Sequence, residues 1–315
     1  MYRHRSKTLA LAAALTTAAW STAARTDPPP AVPFQRASGL LFVEVCWTGR
    51  ASLLALLDTG ASASAIDPAV AAHLPVERVG DVVGTTGSFR AEVVRVRGLR
   101  LGGVKLPTVH ATRRSLAGLL APPGSRVDLI LGSDALARGA LSIDFDRGHV
   151  VLEKSTSPED GVRLVPLVLD NGIPAIPASL GGVKVQLRID TGASLFESGD
   201  VYVNVPERVW AEIQLRHPGL APSSRLQGTG ADGRTVELPV VSVPGVEVGL
   251  LELEAAFIIV QPAAGYFATP EANGFVGNNY LEKLGRVTID YRGQRLFAGS
   301  LVPRAGGARR SRRAS

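Results

Sequence analysis

Two aspartates of this chain stand in the same five-residue setting. Asp58-Thr59-Gly60-Ala61-Ser62 and Asp190-Thr191-Gly192-Ala193-Ser194 both read DTGAS, and each closes an apolar run, SLLALL at 52–57 and VKVQLRI at 183–189. A single Asp-Thr-Gly at a strand end has an ordinary structural use, because the carboxylate accepts hydrogen bonds from the following amides and closes a turn. A given pentapeptide arises by chance only about once per million positions, so two copies reflect duplication, either of a turn or of a site. Two carboxylates about 3 Å apart cannot both ionise; they share a proton and titrate as one unit. The ionised member can take a proton from water while the protonated member donates to a carbonyl oxygen. That is general acid–base hydrolysis with no metal, cofactor or acyl intermediate. A pseudo-twofold axis through a duplicated fold would bring two such loops face to face.

The elements around the aspartates repeat as well. Each is followed by a Gly-rich tip on a predicted hairpin, VVGTTGSFRAEVVRV (82–96) and LQGTGADGRTVELPVV (226–241). An apolar-apolar-Gly strand follows in each copy, DLILGSDAL (128–136) and GFVGNNYL (274–281), and then a hairpin, LSIDFDRGHVVLE (141–153) and VTIDYRGQRLFAG (287–299). Asp58 precedes Gly84 by 26 residues and Asp190 precedes Gly228 by 38, whereas those glycines precede Gly132 and Gly277 by 48 and 49. The second copy therefore carries an insertion of 12 residues between its acid loop and its Gly-rich hairpin. A repeat this long means a duplicated domain rather than a solenoid. Period-two and continuous apolar runs dominate, and helical patterns are few: 67–74, with Asp67 as N-cap and Pro68 in the first turn, and 205–216. The class is all-β.

In this order the motifs resemble those of the retropepsin-like aspartic proteases, over most of the chain. It looks like a fused pair of retropepsin lobes, similar to the exported bacterial aspartyl proteases, with Ala61 and Ala193 after the glycines as in retroviral members. The resemblance implies an all-β fold of two acid-protease lobes related by internal duplication, each a closed, barrel-like sheet with short helices. It implies an aspartic endopeptidase acting on an extended polypeptide, with Asp58 and Asp190 as the catalytic dyad and no cofactor. Thr59, Gly60, Ala61, Thr191, Gly192 and Ala193 would support the dyad, with the threonines locking the two loops together. Gly132 and Gly277 would pack behind them. Gly84, Thr85, Thr86 and Gly87, and Gly228, Thr229 and Gly230, would form flaps over the substrate. Neither tip carries the flap tyrosine of pepsin-like enzymes, and Asn279 stands where the family often has an acid, as Asp134 does in the first copy. The alternative is a non-catalytic peptide-binding module on the same fold, although a degenerate copy is expected to lose an aspartate or its Thr-Gly, and both are intact.

Composition agrees with a globular chain: 45% hydrophobic, 20% charged, and rich in Gly and Pro. Of the net charge of +6, Arg3, Arg5 and Lys7 lie in the first seven residues and Arg304, Arg309, Arg310, Arg312 and Arg313 in the last twelve, so the remainder is near neutral. The charge gives no reason to expect a nucleic-acid partner. Residues 1–24 read as a signal peptide, with a basic start, a modest apolar stretch and small residues for cleavage near Ala23 or Ala24. The expected protein is exported, periplasmic or secreted, a monomer, and without stable membrane insertion after cleavage. A Pro-rich lead-in spans 25–36, lobe one 37–153, a connector 154–161, lobe two 162–303, and a basic tail 304–315. Cys46 is the single cysteine, so no internal disulfide is expected. The five histidines lack metal spacing, and no metal site is expected. GTGADG at 228–233 matches the dinucleotide pattern in letters but runs into a strand rather than a helix, which removes it.

Overall fold

The computed structural model describes residues 30–154, 158, 162–195, 200–230 and 233–299. The expected signal peptide, the basic tail and most of the connector lie outside the described residues. Lobe one contains β1 (Val32–Ala37), β2 (Leu40–Trp47), β3 (Leu53–Leu57), β4 (Ala65–Ile66), α1 (Pro68–Ala71), β5 (Val76–Val83), β6 (Ser88–Val96), β7 (Leu99–Leu101), β8 (Val104–Lys105), β9 (Val109–Arg113), β10 (Leu129–Leu131), α2 (Ser133–Leu136), β11 (Ala140–Asp144) and β12 (His149–Glu153). Lobe two contains β13 (Arg163–Pro166), β14 (Val168–Asp170), β15 (Ile173–Leu180), β16 (Val183–Ile189), β17 (Tyr202–Pro206), α3 (Glu207–Arg216), β18 (Ser224–Thr229), β19 (Thr235–Val248), β20 (Leu251–Gln261), a 3-10 turn (Gly265–Ala268), β21 (Phe275–Val276), α4 (Asn278–Lys283), β22 (Arg286–Asp290) and β23 (Arg295–Ala298). The fold is all-β, as the alternating sequence patterns predict.

The pleat explains how the acids are aimed. Along β16, Val183, Val185, Leu187 and Ile189 are buried while Lys184 and Gln186 face solvent, and the strand runs directly into Asp190. In lobe two β15, β16, β21, β17, β20 and β19 close into a ring, because Ala178–Leu180 pair with Val246–Val248. Lobe one follows the path β2, β3, β10, β4, β9, β6 and closes through β7, which pairs with Cys46 and Trp47 of β2. Here the returning strand is broken at Gly98, whose φ of +80° turns the chain between β6 and β7. Its counterpart β19 continues for 14 residues through Gly245, which also has a positive φ, +61°.

The lobes also share a sheet that sequence pattern did not reveal. β11 of lobe one pairs antiparallel with β22 of lobe two, from Ala140 opposite Asp290 to Asp144 opposite Arg286. The Ser142 and Thr288 hydroxyls meet across this seam at 2.8 Å. One apolar cluster runs through both lobes beneath it, including Leu141, Ile143, Val287 and Ile289. The lead-in is also shorter than expected: Val32–Ala37 forms β1, pairing with β2 and β12, because VPFQRA alternates and ends at a Ser38-Gly39 turn in left-handed backbone.

Candidate active site

Each aspartate begins where its strand stops. The Asp58 amide donates to the Leu131 carbonyl at 3.0 Å, and the Asp190 amide to the Val276 carbonyl at 2.9 Å. Both contacts continue a parallel pairing, β3 with β10 and β16 with β21. The glycines that end β10 and β21 are where the acid loops come closest. A Cβ on Gly132 would lie 2.9 Å from the Ala61 carbonyl oxygen, and one on Gly277 would overlap that of Ala193. These carbonyls accept from the next amides, Ser133 at 2.8 Å and Asn278 at 3.0 Å. Sequence reasoning passed over both residues. The Ser133 hydroxyl donates to the Thr59 carbonyl at 3.1 Å, and the Asn278 side-chain amide to that of Thr191 at 2.8 Å, so each braces an acid loop from behind. Their position directly after the repeated glycine was the available signal.

The two loops meet through their threonines, both fully buried. Thr59 Oγ1 donates to the Ile189 carbonyl at 2.7 Å and accepts from the Thr191 amide at 3.1 Å. Thr191 Oγ1 donates to the Leu57 carbonyl at 2.8 Å and accepts from the Thr59 amide at 3.0 Å. Every one of these four bonds crosses between lobes. The glycines that follow give the opposing carboxylates room: a Cβ on Gly60 would overlap the Asp190 carboxyl group, and one on Gly192 that of Asp58. Ala61 and Ala193 complete the turns. The Ala61 amide donates to Asp58 Oδ1 at 2.9 Å, while on the other side it is the Gly192 amide that donates to Asp190 Oδ1, also at 2.9 Å.

The Asp58 and Asp190 carboxyl groups face each other, each against the glycine of the opposite loop, and each acts on the other's titration. Burial pushes the Asp58 carboxyl above its ordinary value, opposed by the Ala61 amide, the Asp190 hydrogen bond, the Gly60 amide and the Arg114 guanidinium. Burial and then the charge of Asp58 hold Asp190 well above the ordinary carboxylate range, with the Gly192 amide and Arg188 acting the other way. The pair is thus arranged to share one proton, one carboxyl ionised and the other protonated. Arg114 follows β9 directly, its amide held by the Ile66 carbonyl at 3.1 Å. The ladders match it to Gln261 of lobe two, which instead donates to Asn204 at 2.7 Å. Arg114 was not singled out in the sequence, because nothing repeats at that position.

Gly84–Gly87 form the tip joining β5 and β6, closed by the Gly84 amide donating to the Gly87 carbonyl at 2.8 Å. In lobe two the expected register shifts. Gly228 and Thr229 lie within β18, paired with Val236 and Thr235, and the turn begins at Gly230. Gly84 therefore corresponds to Gly230 rather than Gly228, since a glycine inside a polar ribbon can be paired as readily as turned. Cys46 is a free, exposed thiol on β2. Among the described residues no three His, Cys, Asp or Glu side chains stand together as a metal-ligating group, and no helix is long and apolar enough to cross a membrane.

No curated protein matches the chain. Residues 43–135, from β2 through α2 and including Asp58, the first flap and Gly132, match the family model for aspartyl proteases; the match ends well before Asp190.

Proposed function

We propose that the chain is an exported aspartic endopeptidase, a duplicated two-lobe member of the retropepsin-like group, in which Asp58 and Asp190 activate water against a peptide bond. The observation that carries this reading is the facing pair of carboxyl groups, each against the other loop's glycine, at the junction of two DTGAS loops. In the proposed reaction an extended polypeptide lies between the lobes beneath the flaps. Ionised Asp58 takes a proton from a water molecule as the water oxygen bonds to the scissile carbonyl carbon. Protonated Asp190 gives its proton to the carbonyl oxygen, forming a neutral tetrahedral diol. Collapse of the diol returns a proton to Asp190, and the departing amine takes the proton held on Asp58. The dyad ends as it began, and the metal-free chemistry matches a site built from carboxylates and backbone amides.

The aspartyl-protease match over lobe one supports the hydrolase class. Export rests on the basic and apolar character of residues 1–24, and the monomeric state on the presence of both DTGAS loops in one chain. The test is cleavage of a denatured-protein library by the mature chain, with fragments sequenced. Cleavage blocked by a statine-type inhibitor and indifferent to EDTA is expected. Loss of activity with EDTA and recovery with zinc would sink the mechanism.

A further inference from the structure

The tip joining β5 and β6 does not stand free. The Tyr266 amide of lobe two donates to the Gly84 carbonyl at 2.8 Å, joining the tip of one lobe to a loop of the other. The join depends on two glycines. Gly265 has a φ of +50°, and a Cβ there would overlap the Gly84 carbonyl oxygen and lie 2.9 Å from the Gly87 nitrogen. Gly230, at the start of the other flap's turn, faces Thr86, and a Cβ on it would overlap the threonine hydroxyl. Thr86 is consequently buried, at 7% exposure, although it sits at a hairpin tip.

The receiving loop is itself fastened. The Tyr266 ring lies over the Arg188 guanidinium at 3.9 Å, and Arg188 is paired with Asp170 at 2.6 Å. Phe267 is buried and packs on Phe275, with ring centres 5.8 Å apart. Along its own strands the flap is held by less. Beyond Glu92, where β6 leaves β9, it is a ribbon of two strands, a form only marginally stable alone. Its position is therefore set by what its tip touches.

We propose that Gly265 and Tyr266 are the seat of the lobe-one flap, and that the flap positions a polypeptide over Asp58 and Asp190 only while the Tyr266 amide holds the Gly84 carbonyl. Resting on the peptidase reading above, this makes Tyr266 a positioning residue. A polypeptide passes under the flap when the latch opens, and closure of the latch presses it onto the dyad. A backbone-to-backbone latch calls for no aromatic at the tip, which carries Thr85, Thr86 and Gly87.

A reversible lock tests this. A Cβ on Gly230 would lie 2.8 Å from that of Thr86, so a movement of about 1 Å brings a Thr86→Cys, Gly230→Cys pair to disulfide geometry. Cys46→Ser removes the competing thiol. With the cross-link confirmed by mass, the oxidised protein should cleave an unfolded protein at least tenfold more slowly than the same protein reduced; equal rates overturn the proposal. Hydrogen exchange reads the latch independently of any peptidase activity. Gly265→Ala should speed exchange at Tyr266 and in 84–87. Gly49→Ala, at a φ of +74° with nothing within 4 Å, should not, although it imposes the same left-handed strain. If the Tyr266 amide exchanges equally fast in the wild type and Gly265→Ala, there is no latch, whether or not the chain proves to be a peptidase.

Discussion

The strands that deliver the two aspartates are alike at their ends and unlike just before them. Matching Leu131 with Val276 sets Leu56 of β3 against Arg188 of β16, each two residues ahead of its acid. Leu56 is buried in a small apolar cluster with Phe42, Leu116, Val127 and Ile130, so the 114–128 segment lies as a greasy cover on the outer face of its sheet. Arg188 occupies the same place in lobe two, clasped by Asp170 and roofed by Tyr266. One copy supports its acid loop by burying hydrocarbon and the other by a stacked ion pair, which costs more to desolvate and holds geometry more sharply. The contacts between the loops are thus the same in both lobes, while what lies behind them differs. The division is useful, because a dyad needs two equivalent carboxylates in space and two inequivalent ones in protonation.

The largest effect should come from what is equal. Asp58→Asn and Asp190→Asn should each lower cleavage by about a thousandfold or more with the fold retained, since each removes half of one catalytic unit. Initial rates on a denatured protein, beside circular dichroism, check this. A variant retaining a tenth of wild-type activity would break the equivalence of the two loops.

Next come the threonines. Removing either hydroxyl, as Thr59→Val or Thr191→Val, strands one buried amide and one buried carbonyl of the opposite lobe, at about 2–5 kcal/mol. Because the bonds mirror one another, the two costs should agree within about 1 kcal/mol in urea unfolding. A large difference would show that the lobes do not depend on the grip equally.

The inequality has its own signature in pH. Activity should follow a bell, rising as Asp58 ionises and falling as the proton leaves Asp190. Arg114 draws the Asp58 value down, so Arg114→Gln, which copies Gln261, should move the acid limb to higher pH. Arg188 draws the Asp190 value down, so Arg188→Leu, which copies Leu56, should move the alkaline limb to higher pH. Rate profiles between pH 3 and 9 distinguish them. If Arg114→Gln moved only the alkaline limb, the acid and base assignments would have to be exchanged.

What was legible in the sequence is what the chain states twice. DTGAS, the apolar-apolar-Gly strands and the closing hairpins come in pairs at matched spacing, so the all-β class and the residues that meet at the dyad could be written down before any coordinates. Features present once were silent. Nothing in ATRRS marks Arg114 as the arginine near Asp58, because that neighbourhood forms through the long-range pairing of β4 with β9. Nothing in PAAGYFATP marks Tyr266 as the donor to a flap some 180 residues earlier in the chain. The shift from Gly228 to Gly230 has a local cause: Gly228 is held in the strand under Leu238, a contact that glycine spacing does not encode. Strand β1 falls in the stretch that reads as lead-in, because the prolines before it and Pro33 within it mask a strand that pairs on both sides, with β2 and β12.

The smallest effect concerns the one acid that differs between the copies behind the loops. Asp134 follows Gly132 by two residues, as Asn279 follows Gly277, and both reach back to the acid loop. Asp134 Oδ1 accepts from the Ser64 amide at 3.0 Å and from its hydroxyl at 2.6 Å, while Asn279 Oδ1 accepts from the Leu195 amide at 3.0 Å. Burial raises the Asp134 carboxyl above its ordinary value, outweighing the Ser64 hydrogen bonds that oppose it. The folded protein then holds this proton more tightly than the unfolded chain, so the stabilisation is complete below the ordinary carboxylate value. It is lost as pH rises through the raised one. Asp134→Asn can still accept from Ser64 and has no proton to lose, so its stability should differ from wild type by about 1 kcal/mol or less at pH 4. The difference should then move in favour of the variant toward pH 8. The dyad titrates in both proteins, and subtracting the two urea-unfolding curves at each pH isolates this one group. A difference that stayed flat, or that favoured the wild type as pH rose, would mean that Asp134 is held as a charged brace, unlike its neutral counterpart in lobe two.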